Sequence, residues 1–111
     1  MKFMVLMSED PSWDDLSEEE QSQIIRDHEK FKTDLKTQGC YIDSARFKPE
    51  SGAAIEQLLT GEKVSVPAPV SGQGAIGGYY LIEAETMDQA MSWASRCRFI
   101  TGTNWVYPLW T

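Results

Sequence analysis

The stretch GGYYLIEAETMDQAMSWASRC, Gly77 to Cys97, holds two kinds of pattern in immediate succession. Its first part is an apolar, aromatic-rich run of the kind that makes strands. Thr86 followed three residues later by Gln89 then marks a helix start, and Met87, Ala90, Met91, Ala94 and Cys97 recur on one side of that helix. A strand leading straight into an amphipathic helix is half of an α/β repeat, so a matching half is expected upstream.

That half is present. KFMVLM reads as a first strand over about residues 2–8, ended by a Pro/Ser/Asp cluster. Ser17 with Glu18, Glu19 and Glu20 forms a capping box, and Leu16 can staple onto the first turn. Ile24, Ile25, His28, Phe31 and Leu35 follow at helical spacing, and Gly39 supplies a left-handed stop, so the first helix spans about 18–37. CYIDSARF is a half-buried strand broken by Pro49 and Ser51-Gly52. AAIEQLL, TGEK and VSV suggest a short hairpin, although AAIEQLL would also make a helical turn. Val66 to Gly78, rich in proline and glycine, reads as a long loop of the sort that often serves function. NWVYPLW closes the chain as a strand in which Pro108 argues for an edge or a bulge.

The order is βαββαβ with an inserted hairpin and loop, an α+β fold of ferredoxin-like plan in one domain, 1–111. Two helices cover one face of such a sheet. The other face, carrying Tyr79/Leu81 or Tyr80/Ile82 and Trp105/Tyr107 or Val106/Trp110, stays apolar and wet unless a second copy covers it, which implies a homodimer.

Composition narrows the functional classes. A net charge of -7 repels a phosphate backbone, so no nucleic-acid partner is expected. With 41% hydrophobic and 24% charged residues and no apolar run near the length of a membrane span, the chain reads as soluble. MKFMVLMSED lacks the features of a signal peptide, and Cys40 and Cys97 lack metal-ligand spacing, so a cytoplasmic protein with reduced thiols is expected. The acids of SEDPSWDDLSEEE suit a solvated loop and the positive end of a helix dipole. No phosphate loop, dinucleotide fingerprint or zinc motif is present, and neither a metal nor a cofactor is implied.

His28 is the sole histidine, and its ordinary pKa near neutrality suits a general acid or base. Its spacing from Ile24, Ile25 and Phe31 turns it between the first helix and the sheet, where it is either a proton-transfer group or a core histidine held by a backbone carbonyl. Asp27, Glu29 and Asp34 lie on other faces of the helix. A partner carboxylate would come from Glu9, Asp10 or Asp43, with Asp43 favoured among the three because a carboxylate within an apolar strand calls for a partner, although alternation along the strand equally allows an outward, solvated Asp43. Arg46 is the candidate anion anchor, and Tyr79, Tyr80, Trp105 and Tyr107 are core or interface aromatics or the lining of a pocket for a flat, apolar ligand.

MKFMVLM, HEKFKTDLKTQG, GGYYLIEAETMDQAMSWASRC and WVYPL, in that order, resemble the YCII-related family of the DGPF type. The resemblance implies a dimeric ferredoxin-like fold in an α/β-barrel-type assembly, with His28 at the position of a recurrent family histidine. Some relatives are enzymes of small-molecule transformation, including dehydrochlorination of a hydroxylated aromatic, with a histidine and an aspartate as the proposed pair. The Asp-Gly-Pro-Phe tetrapeptide should fall on Val66-Pro67-Ala68-Pro69, where its aspartate is absent, and a basic residue of the last strand becomes Tyr107. The resemblance therefore implies either a cofactor-independent lyase or isomerase acting on a more apolar small molecule through His28, or a non-catalytic dimeric binding or accessory protein whose family chemistry is lost.

Overall fold

In the computed structural model of the chain, residues 1–9, 13–48, 52–68, 75–97 and 102–110 are described. Strand β1 (Lys2–Ser8) leads through a 3-10 turn (Trp13–Asp15) into helix α1 (Glu18–Thr37). Then come β2 (Tyr41–Arg46), β3 (Ala53–Gln57), β4 (Lys63–Pro67), β5 (Ile76–Glu83), α2 (Met87–Ala94) and β6 (Asn104–Pro108). The protein is thus α+β.

Four strands form one antiparallel sheet in the order β2-β5-β1-β6, and β3 pairs with β4 in a separate ribbon. This order, with the two helix-leading strands β1 and β5 at the centre, is consistent with the ferredoxin-like plan. The local signals behind it are specific. Ser17 Oγ accepts from the Glu20 amide at 3.1 Å while Glu20 returns a carboxylate to the Ser17 amide at 3.0 Å. Thr86 accepts from the Gln89 amide at 3.1 Å, and Gly39 takes φ +72° after α1.

Register assigns the faces. Phe3, Val5, Tyr80 and Ile82 point to the helices and are buried, joined by Phe31, Leu35, Ala90, Ala94 and Cys97. Each large apolar side chain there contributes about 1.5–3 kcal/mol from burial alone. On the other face Met4, Leu6, Tyr79 and Leu81 are half-buried and the ring of Tyr107 is exposed.

The expected hairpin is present: AAIEQ is strand β3 and not the alternative helical turn, because it pairs from Ala53↔Pro67 to Gln57↔Lys63. Two sequence expectations need correction. The long loop is shorter at both ends: Val66 and Pro67 belong to β4, whose terminal position tolerates a residue without an N–H, and Ile76 to Gly78 belong to β5. Its middle, residues 69–74, lies outside the described residues. Finally, α2 ends at Ala94, and Met87 and Met91 are exposed, since the helix approaches the sheet through the small side chains of Ala90 and Ala94.

Candidate functional site

The inward stripe of α1 divides in two. Phe31 and Leu35 pack into the core, whereas Ile24, Ile25 and His28, nearer the N-terminus, wall a cleft of about 330 Å³. The cleft opens because the sheet beneath has lost its side chains. Gly77 and Gly78 sit in β5 at that point, where a Cβ on Gly78 would stand 2.7 Å from the Ala45 carbonyl oxygen and one on Gly77 would strike the Glu9 carboxylate. Glycine is needed here for close approach and leaves floor space for a ligand.

His28 stands on the cleft wall with its ring fixed from one side. Its Nδ1 lies 2.9 Å from the Tyr80 hydroxyl, and the two rings stack with centroids 5.8 Å apart and planes 12° apart. Tyr80 is itself held edge-on by Phe31, centroid to centroid 4.9 Å. Burial, followed by the nearby Cys97 and Tyr41, pushes the Tyr80 phenol well above its usual range, so it stays a hydroxyl at any physiological pH. Burial likewise pushes the Cys97 thiol up to about 12, which makes it inert packing rather than a nucleophile.

A hydroxyl that keeps its proton can serve either histidine tautomer. Accepting from Nδ1–H, it leaves the basic lone pair on Nε2; donating to Nδ1, it leaves the proton on Nε2.

The mouth is built by β2 and the 3-10 turn. The Arg46 guanidinium lies over the Trp13 ring, 4.1 Å from its centroid, and the Trp13 backbone N–H donates to Glu9 Oε1 at 3.3 Å. Leu16, Met7, Ser44 and Lys32 complete the near walls, and Asn104 closes the far end. Asn104 Nδ2 donates to the Ala94 carbonyl at 3.0 Å, while its Oδ1 is buried and finds no hydrogen-bond partner among the described residues.

Of the residues expected from sequence, the structure brings His28, Tyr80 and Arg46 to this cleft, with Glu9 at its edge. Asp43 is placed elsewhere. A bulge between Tyr41 and Asp43 shifts the register so that Tyr41 and Ser44 share the helix-covered face, bonded at 2.8 Å, and Asp43 turns to the opposite one. There it accepts from the Tyr79 hydroxyl at 2.9 Å and from the Ser44 amide at 2.8 Å. Tyr79 borders the cleft, but its hydroxyl belongs to that pairing, and the Asp43 carboxylate raises its pKa.

Trp105 pairs with Leu6 and Tyr107 with Met4, which sets both on the open face; their neighbour Asn104, paired with Met7, faces the cleft instead. Asp10 lies outside the described residues. Sequence reasoning missed Trp13 and Asn104. The signal for Trp13 is a large ring stranded in an acidic turn, and the signal for Asn104 is strand parity one residue before Trp105.

Among the described residues no group of three or more His, Cys, Asp or Glu side chains could hold a metal, and no helix is long and apolar enough to cross a membrane. The family model for the YCII-related domain matches residues 1–111. No curated protein matches the chain.

Proposed function

Because the chain belongs to the YCII-related domain family, we propose that it is a cofactor-independent enzyme moving a proton on a small apolar or aromatic molecule. His28 is the general acid and base of an elimination, isomerisation or cyclisation, reactions that proton transfer in a water-poor cleft can carry. One observation carries this reading: His28 lines a cleft of ligand size while its Nδ1 is held by a phenol that burial keeps protonated. Tyr80 thus orients the ring, as a carboxylate does in other histidine sites, but unlike a carboxylate it can follow either tautomer. Asp43, on the far side of the sheet, is not part of this machinery. A homodimer covering the open face and a cytoplasmic location complete the reading.

The test is solvent-deuterium exchange into aryl ketones, followed by proton NMR. His28→Ala should lower the enzyme-dependent exchange about 10²–10⁴-fold. Its thermal midpoint should stay within a few degrees of the parent's, since His28 is only half-buried. Exchange that persists in His28→Ala removes the base from the proposal.

A non-catalytic, dimeric ligand-binding or accessory role is favoured by one observation. Val66 and Pro67, where the family aspartate would begin, lie in the β3–β4 ribbon and not among the cleft residues. No ketone exchange above background, together with ligand binding, would favour that role.

A further inference from the structure

Three arginines are described, and they differ in how their donors are used. Arg26 donates to Gln23 Oε1 at 2.8 Å, and Arg96 donates to the Asp34 carboxylate. The Arg46 guanidinium carbon lies over the Trp13 ring, 4.1 Å from its centroid, and among the described residues no carboxylate or carbonyl takes its N–H donors. Stacking occupies the face of a guanidinium and leaves its forked edge available for two parallel hydrogen bonds. In a chain with 17 acidic and 10 basic residues, an arginine at a cleft mouth with no acidic partner among the described residues is a cation placed to meet a ligand's charge.

We propose that the cleft selects a flat aromatic carboxylate, whose two oxygens take the Arg46 fork beside Trp13 while its ring lies between Leu16, Ile24 and the glycine floor. The proposal rests on the reading of this cleft as the substrate site, and it adds the ligand's charge and shape. Volume agrees: about 330 Å³ is at the small end of ligand pockets and suits one or two fused rings. Lys32, half-buried on the same wall with its Nζ 5.4 Å from the Tyr41 ring centroid, adds positive potential. Glu9 and Glu29 also border the cleft. They oppose an anion placed away from the arginine, so they help to fix which end of the ligand points there. The Trp13 amide already occupies one Glu9 oxygen.

Isothermal titration calorimetry at low salt with 2-naphthoate and its neutral isostere 2-naphthamide tests this without turnover. The parent protein should bind the carboxylate at least about tenfold more tightly, the usual margin of a charge-assisted pair. Arg46→Gln should abolish that margin by weakening naphthoate at least about tenfold more than naphthamide, and Arg46→Lys should restore only part of it. His28→Ala should retain the margin, so the ligand class stands even where proton transfer fails. Thermal melts of each variant establish that it is folded. Equal affinities for the two ligands, no binding of either, or a margin that survives Arg46→Gln but is lost in Lys32→Gln or His28→Ala would overturn the proposal.

Discussion

Tyr79 and Tyr80 are neighbours in sequence and live on opposite faces of one sheet. Tyr80 is 5% exposed beneath the helices, stacked on His28 and held by Phe31, and burial governs its hydroxyl. Tyr79 faces outward beside Asp43, and a single hydrogen bond to that carboxylate governs its hydroxyl. Both phenols are pushed upward, yet for different reasons. The covered face combines a packed core with a cleft, so its polar groups act in a low-dielectric site. The open face is a half-finished core whose aromatic rings have no second layer among the described residues.

The sharpest test of this division is to truncate adjacent residues on the two sides. Ile82→Ala removes a fully buried side chain from the centre of the core and should cost about 2–5 kcal/mol in chemical denaturation. Leu81→Ala, one residue away and half-buried, should cost less than about 1.5 kcal/mol measured in dilute protein. If the open face is covered by a second copy, the Leu81→Ala cost should grow with protein concentration and the parent midpoint should rise with it. A concentration-independent midpoint would break the dimer reading. Equal costs for Ile82→Ala and Leu81→Ala in dilute protein would break the comparison itself.

Within the covered face, Tyr80→Phe separates packing from proton handling. The ring stays and its edge contact with Phe31 survives, so stability should fall by only about 1 kcal/mol. Deuterium exchange should fall further, by about tenfold or more, because His28 loses the hydroxyl that orients its ring. The reverse ordering, a large stability loss with unchanged exchange, would make Tyr80 a core residue and nothing else.

Most of the element plan is legible in the chain itself. Caps at Ser17 and Thr86, the stop at Gly39 and the apolar periods of β1 and β5 are local signals, and the structure follows them. His28 is legible for the same reason: one helix fixes where it points. What escapes depends on pairing between distant strands. The bulge at Tyr41/Asp43 sends Asp43 away from His28, and nothing within CYIDSARF announces it. The parity of β6 decides that Asn104, not Trp105 or Tyr107, meets the cleft, and that parity is set by its register with β1. Trp13 is hidden differently, since only the fold carries the acidic turn over the end of β2, where Arg46 waits.

The smallest effect concerns the open face. The hydrogen bond to Asp43, with burial and the nearby negative charge adding to it, raises the Tyr79 pKa from its ordinary 10.0. A raised folded-state value means that the folded protein holds this proton more tightly than the unfolded chain does. The associated stability is fully present below about pH 10 and is lost as pH rises through the folded-state value. Asp43→Ala should therefore return the Tyr79 titration, followed by its ultraviolet absorbance, towards 10.0 and flatten the alkaline decline of the thermal midpoint. It should leave deuterium exchange untouched, because the carboxylate stands across the sheet from His28. Loss of exchange in Asp43→Ala, with Tyr79 titrating as before, would show that the two faces communicate and that the sheet is no partition between them.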